Sequence, residues 1–556
     1  MQSKIERRSF FSKDKLLIGG VAALLLPALL IHLGLVGLYG DEGIRALVAL
    51  EMGISGNYLT PTLFGEFYYN KPPLYNWILL LVFKLTGRTD EFIARLPTVV
   101  FLLAYAATIY FFIKKSIATP PSQVKPTPEQ STGACGPPGF RVQDLLTALA
   151  FITCGRILFW DSMLALIDIN FSWVMYGMFM VIFRQGEKGR YGRLFVLAYL
   201  LAAIGFLLKG LPSVVFLGIS LLTYFIWQKK WRKLFSSAHL AGMAVFALMV
   251  GGYYALYARH NGLEMVFKTL FDESAKRTLM VHSLGDTLLH LLTFPFEFLY
   301  HFLPWTLLAV YFFRKNALRL IRQNKFVTWN LLVFLTTVLP YWTSVEVYPR
   351  YLFMHVPLVF TALFYLHFEN KKENATLVKW VENIFFAGCL AALAAGFLPL
   401  FWDAVAEVPY LHLKTGAVAG SFVVLSWLYW RWRAQRMLVF VLVLLVVRTG
   451  FNWFVLPSRL DVECSTEVRR TTLEAVKILE DRPLYIYQHS LGLQPVTAYY
   501  FTRETGQILR AQHGDFDKNA CYLVNAPHYG AEKFDVITNV TIHWKCGELQ
   551  VARLRE

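Results

Sequence analysis

Long apolar runs alternate with short polar connectors along most of the chain. The runs cover approximately residues 16–37, 95–113, 143–160, 164–183, 194–209, 211–228, 237–257, 291–313, 327–343, 350–367, 381–401, 415–430 and 436–456. A helix needs about 20 residues to cross a hydrocarbon core about 30 Å thick, so the pattern predicts about thirteen spans. One further run, PLYNWILLLVFKLTG from Pro73, contains Asn76 and Lys84. At about 15 residues it is short for a span and predicts a helix lying at the membrane surface. Beyond residue 456 the pattern changes. Short β-like runs (PLYIYQH from Pro483, ACYLVNA from Ala520, VTIHWKC from Val540) alternate with polar, helix-like EVRRTTLEAVKILED from Glu467. The chain divides into an all-α polytopic membrane domain, 1–456, and a small α/β domain, 457–556.

Composition agrees with the membrane reading. Of 556 residues, 56% are hydrophobic and only 16% charged, where a soluble chain carries about a quarter charged. The formal charge of +17 raises the possibility of a nucleic-acid partner, but its distribution argues against one. The basic residues fall in short clusters between apolar runs: KIERRS at the start, RQGEKGRYGR from Arg184, QKKWRK from Gln228, RKNALRLIRQNK from Arg314 and RWRAQR from Arg431. Such clusters mark cytoplasmic loops. With the N-terminus inside and residues 73–87 kept outside, all of them face the cytoplasm, as do Lys114–Lys115 and Lys371–Lys372. Counting 73–87 as a span would move every cluster after Lys114 to the outside. The preferred topology puts the C-terminal domain outside. There Cys521 and Cys546 can pair if the compartment is oxidising. The Pro- and Gly-rich segment from Ala118 predicts a flexible cytoplasmic connector.

The same topology sorts the unusual polar groups. Asp41, Glu42, Lys71, Asp161, Lys209, Arg277, Glu346, Arg350 and Tyr351 all fall at outer ends of spans or in outer loops. Charge in a span is costly, at least about 2.5–3.5 kcal/mol per group, and usually lines a polar cavity. The first outer loop, 38–94, is the densest: DEGIRALVALEM from Asp41, then GNYLTPTLFGEFYYNKPPLYNW from Gly56.

These stretches resemble the GT-C superfamily of membrane glycosyltransferases that use polyprenyl-phosphate sugars, particularly the lipid A aminoarabinose transferases and the protein O-mannosyltransferases. The resemblance rests on Asp41-Glu42, Glu51-Met52, the turn Gly56 to Pro61, and Lys71-Pro72-Pro73-Leu74. Further matches follow in order: RILFWDSML at Asp161, GFLLKGLP at Lys209, and PRYLFMHVP, whose Tyr351 matches a tyrosine near the lipid phosphate. The resemblance implies the GT-C fold with an outer C-terminal domain, a multi-pass protein of the bacterial inner membrane with that domain in the periplasm, and a polyprenyl-phosphate sugar donor. The acceptor is a membrane glycolipid or a protein. There are departures. Where the aminoarabinose branch opens D-E-x-R-Y, Ile44 and Arg45 hold the last two positions here. Asn70 stands in place of a Glu, and Ser274 near Lys276 and Arg277 in place of a His near an Arg. Those acidic and histidine positions are the plausible metal ligands of that branch, so a divalent cation is left open, and no other cofactor is implied.

Each candidate has a plainer reading beside it. Asp41 is read as general base or electrostatic partner for an acceptor attacking an anomeric carbon; it could instead cap the helix that follows. Glu42 is a supporting catalytic carboxylate, and Glu51 either pairs with Arg45 or faces water. Lys71, aimed by two prolines, suits a donor phosphate, or else snorkels at the interface. Tyr68 assists it, or belongs to the interfacial aromatic belt. Asp161 is a second catalytic acid or a charged helix end, and Asp168 a buried structural partner. Lys209, Arg277, Arg350 and Tyr351 are candidates for the same phosphate. His282, His290 and His301 lack ligand spacing. A lipid or sugar transporter is the alternative from another class, but it would carry polar residues at the bilayer midplane and show internal repeats.

Overall fold

The computed structural model describes residues 2–117, 142–275, 284–373, 375–460, 463–479, 482–489, 492–542 and 546–555. The expected connector after Lys115 therefore lies largely outside the described residues, as do Arg277 and His282.

Ten helices lead through the first half: α1 Gln2–Leu30, α2 Asp41–Ser55, α3 Leu74–Thr86, α4 Glu91–Ile117, α5 Val142–Thr153, α6 Gly155–Phe159, α7 Asp168–Glu187, α8 Tyr191–Lys209, α9 Pro212–Trp227 and α10 Ser237–Tyr257. Among the described residues, six helices are long and apolar enough to cross a membrane, in 91–116, 191–209, 237–257, 376–401, 411–431 and 436–458. A seventh candidate is a broken pair, 144–153 with 155–163, bent by 49°. The thirteen apolar runs thus outnumber the helices that pass this length test, because several runs are interrupted. Residues 291–313 form a helix ending at His301 and a 3-10 segment Trp305–Phe313 after Pro304. Residues 327–343 split into Lys325–Thr337 and Leu339–Trp342, where Pro340 falls in the first turn of the second piece. The surface-helix expectation for 73–87 corresponds to α3. Its 13 residues reach about 20 Å at 1.5 Å each, too short to cross. Gly87, at φ 65°, ends it in the left-handed conformation that favours glycine.

The first outer loop is ordered throughout. After α2, strands β1 Thr62–Leu63 and β2 Glu66–Phe67 form an antiparallel hairpin. Its turn residues Phe64 and Gly65 have φ of 58° and 73°, the twist a two-residue hairpin needs. Glu51 holds this turn. Its carboxylate accepts from Thr62 Oγ1 at 2.6 Å and from the Phe64 and Gly65 N–H groups at 2.8 and 3.1 Å. Burial raises its carboxyl above the usual range, although those three donors pull the other way. Glu51 therefore neither pairs with Arg45 nor faces water.

The C-terminal residues form a five-stranded sheet of β3 Leu484–Tyr487, β4 Ala511–Gln512, β5 Cys521–Val524, β6 Phe534–Thr541 and β7 Glu548–Leu554, in the order β4-β3-β5-β7-β6. Strand β3 is parallel to β4 and β5, while β7 is antiparallel to β5 and β6. Helix Cys464–Leu479 packs on β6, and Pro495–Thr505 packs on that helix and on α2. The expected Cys521–Cys546 pairing is corrected: Cys546 is bonded to Cys464, and Cys521 is a free, buried thiol in β5. Sequence spacing could not choose among the three, because the helix bearing Cys464 returns to the β6–β7 end of the sheet. The bridge spans 82 residues. Cys546→Ser is expected to lower the unfolding free energy of the sheet unit by about 2–5 kcal/mol, read as a lower denaturant midpoint for its near-UV signal with the helical signal little changed.

Candidate functional site

Four chain segments far apart in sequence bring charge to one place. Asp168 is the first residue of α7 and Lys209 the last of α8, where Gly210, at φ 85°, turns the chain away. Because α7 and α8 are antiparallel neighbours, the start of one meets the end of the other, and Lys209 Nζ lies 2.5 Å from Asp168 Oδ1. Arg350 comes from the 3-10 turn Pro349–Leu352. Its Nε is 3.4 Å from Asp168 Oδ2, and its Nη2 donates to Asp41 Oδ2 at 3.0 Å. The result is a ladder, Lys209–Asp168–Arg350–Asp41. It runs from side chains about a tenth exposed or less to an Asp41 side chain 51% exposed. Tyr351 floors its inner end, with Lys209 Nζ 3.9 Å from the ring centroid.

Asp41 heads α2, but its side chain does not cap the helix: Gly40 holds the cap position and makes no side-chain hydrogen bond. The carboxylate turns to Arg350 instead, at the exposed lip of the ladder. Glu42, one residue on, has a different role from the catalytic one expected of it. It is fully buried and accepts four hydrogen bonds: from Arg95 Nε and Nη2, both at 2.9 Å, from Tyr39 N–H at 2.9 Å and from Ala165 N–H at 2.7 Å. Arg95 also donates to the carbonyls of Leu33, Val36 and Gly37. A carboxylate so engaged has no acceptor site left for a substrate proton. It fixes the turn from α1 into α2 against α4 and the approach to α7. Glu42→Gln leaves Arg95 buried without its counter-charge, and a loss of about 3–5 kcal/mol is expected, measured as a lower thermal midpoint of the purified protein.

Asp161 lies in the 3-10 turn Asp161–Met163, buried, with Oδ2 2.6 Å from Arg156 Nε. Its other oxygen, Oδ1, is buried without a hydrogen-bond partner. The carboxylate forms no ion pair with the ladder residues but lies close enough to Asp168 and Arg350 to feel their charges. Tyr68 follows the hairpin and is buried. Its ring stands 5.6 Å from the Arg45 guanidinium, and its buried hydroxyl lies near that guanidinium without a well-formed hydrogen bond. Burial pushes its phenol above the ordinary range. Lys71 is half-buried, three residues beyond Tyr68, with Pro72 and Pro73 buried behind it.

Arg45 is the residue that sequence reasoning missed. It is 6% exposed, and its Nη1 is buried with no hydrogen-bond partner. Its charge acts on both Tyr68 and Asp168. The signal was available: Arg45 lies four residues after Asp41, on the same face of a helix. Arg45, Arg156, Lys209 and Arg350 stand against Asp41, Asp161 and Asp168, four cations to three carboxylates. The surplus positive charge and the unpartnered buried atoms suit an anionic, hydroxyl-rich ligand. Each of the three carboxylates is already neutralised by a cation of the chain, and among the described residues no group of three or more His, Cys, Asp or Glu side chains could hold a metal ion. This donor set does not fit a resident metal.

No protein-family model matches the chain, and no curated protein sequence matches it significantly. Two solved structures resemble it over nearly their whole length. ArnT from Cupriavidus metallidurans bound to undecaprenyl phosphate matches with a TM-score of 0.67 at 16% identity, covering 96% of this chain and 97% of that one. ArnT from Cupriavidus metallidurans in the apo state matches with a TM-score of 0.65 at 16% identity, covering 97% and 98%. The chain therefore has the fold of these ArnT structures, the GT-C fold that its outer-loop motifs led us to expect.

Proposed function

We propose that the protein is a membrane glycosyltransferase that moves a sugar from a polyprenyl-phosphate donor to an acceptor at the outer leaflet, with inversion at the anomeric carbon. The observation that carries this reading is the ladder itself: a half-exposed carboxylate at the outer end of a line of largely buried charges in which cations outnumber carboxylates. In this mechanism the acceptor oxygen attacks the anomeric carbon and the bond from that carbon to the phosphate oxygen breaks. Asp41 takes the proton of a hydroxyl acceptor, or steers an already ionised one. Arg45, with Lys71, Lys209 and Arg350, offsets the charge of the departing polyprenyl phosphate. Asp161 orients hydroxyls of the sugar through its unpartnered oxygen. No step is routed through a metal.

Support also comes from the shared fold, since one of the two ArnT structures is bound to undecaprenyl phosphate. A multi-pass inner-membrane protein with residues 457–556 in the periplasm fits the distribution of basic clusters. The clustering of charge at one end of the helices favours transfer over transport, which needs a midplane site. Mass spectrometry of envelope lipids and proteins from cells with and without the active chain is the test. One component is expected to lose a sugar mass in the inactive strain. Identical spectra across both fractions would refute transfer.

A further inference from the structure

The C-terminal sheet unit grips the segment that carries Asp41 at several points. Tyr500, buried in the helix Pro495–Thr505, accepts the Leu38 N–H at 2.9 Å and donates its own proton to Glu91 Oε1 at 2.9 Å. Arg469 and Arg503, from the same unit, lie 3.4 and 3.8 Å from Glu91. Gly37 sits so close to the Ser465 carbonyl that no side chain fits between them. Gly43, two residues after Asp41, packs on the start of the Tyr500 helix, where an added Cβ would stand 2.7 Å from the Val496 nitrogen. Farther along, Gly65 of the hairpin turn lies against the Arg510 side chain. Residues 37–43 are thus held from one side by the Glu42–Arg95 clamp and from the other by the C-terminal unit.

We infer that the C-terminal unit is a working part of the active site, and that Tyr500 is a positioning residue that sets Asp41 against Arg350. The inference rests on the proposed reaction. Without the Tyr500 hydroxyl, the buried Leu38 N–H loses its acceptor, and the backbone three residues before Asp41 is held less tightly, by the Arg95 contacts and the close packing at Gly37 and Gly43 alone. The general base then meets its substrate less often in line. The cations are set elsewhere, on α8, the 3-10 turn at Arg350 and the body of α2, so donor binding stays.

The test compares Tyr500→Phe, which keeps the ring, with Thr471→Val. Thr471 Oγ1 accepts from Thr541 N–H at 3.0 Å, a hydrogen bond inside the C-terminal unit and away from α2. Transfer per folded molecule is measured in cells by mass spectrometry, and binding of undecaprenyl phosphate on the purified chain. Tyr500→Phe is expected to lower transfer about 10- to 100-fold, with Kd changed less than twofold, while Thr471→Val leaves both unchanged. Equal losses in the two variants would reduce Tyr500 to general stability and overturn the inference, as would full transfer by Tyr500→Phe. Asp41→Asn run in parallel separates the levels. If it loses transfer and Tyr500→Phe does not, only the positioning claim fails; if it keeps transfer, the proposed reaction fails first.

Discussion

Asp41→Asn is expected to lower sugar transfer by about a hundred- to ten-thousand-fold, the range of a positioned general base, while undecaprenyl phosphate still binds. The amide has nearly the shape of the carboxylate, and its oxygen can still accept from Arg350, now at 3.0 Å from Asp41 Oδ2. What is lost is negative charge and basicity at the most exposed rung of the ladder. Because Asp168 and Lys209 pair independently at 2.5 Å, the rest of the ladder keeps its form. The variant should fold, insert and bind donor, with a thermal midpoint close to that of the parent. The decisive measurement is transfer per folded molecule against Kd on the same preparation. Wild-type transfer in folded Asp41→Asn would remove the carboxylate from the chemistry. Loss of donor binding together with transfer would instead make Asp41 part of the binding surface.

The second large effect is expected at Arg350, which alone touches two carboxylates of the ladder. Arg350→Met removes the partner of Asp41 and one of the two partners of Asp168. It also removes one of the cations proposed to face the phosphate, leaving Arg45, Lys71 and Lys209. Transfer should fall by about a hundredfold or more, since a base displaced by about 1 Å can cost that much. Unlike Asp41→Asn, this change should weaken donor binding too, because the positive charge facing the phosphate is reduced. Arg350→Lys should recover little. An ammonium is a point charge on a flexible stem and cannot span both carboxylates as the planar guanidinium does. Titration of undecaprenyl phosphate into both variants checks this. Unchanged Kd in Arg350→Met would confine Arg350 to holding Asp41.

Much of this arrangement was legible in the order of residues, and the rest was hidden for identifiable reasons. Apolar runs gave the helical membrane part, and period-two runs gave β3 and β5, because both signals are local. Strand β7 and the helix at Pro495 escaped, since neither has a strong period of its own and each is held by neighbours distant in sequence. The outer-end charges were found because the positive-inside rule fixes which ends lie together. How they pair was not. Asp161 meets Arg156 five residues away, a spacing an unbroken helix would not favour; the end of α6 at Phe159 and the 3-10 turn that starts at Asp161 bring them together. Glu42 and Asp41 are adjacent and identical in charge, yet one is buried under Arg95 and the other half-exposed. Their partners, Arg95 from α4 for one and Arg350 for the other, separate the buried acid from the half-exposed one.

The grip of the C-terminal unit on residues 37–43 also bears on how the molecule is made. Leu38 and Tyr500 are separated by 462 positions, so one of the earliest outer loops to be synthesised waits for one of the last segments before its backbone is pinned. A nascent or shortened chain could already hold its apolar helices, the cations of the ladder and the Glu42–Arg95 clamp, yet lack the second grip on the backbone before Asp41. On the proposed reaction, competence would arrive late in biogenesis, when the C-terminal unit docks, and a half-made copy would not act on the lipids around it.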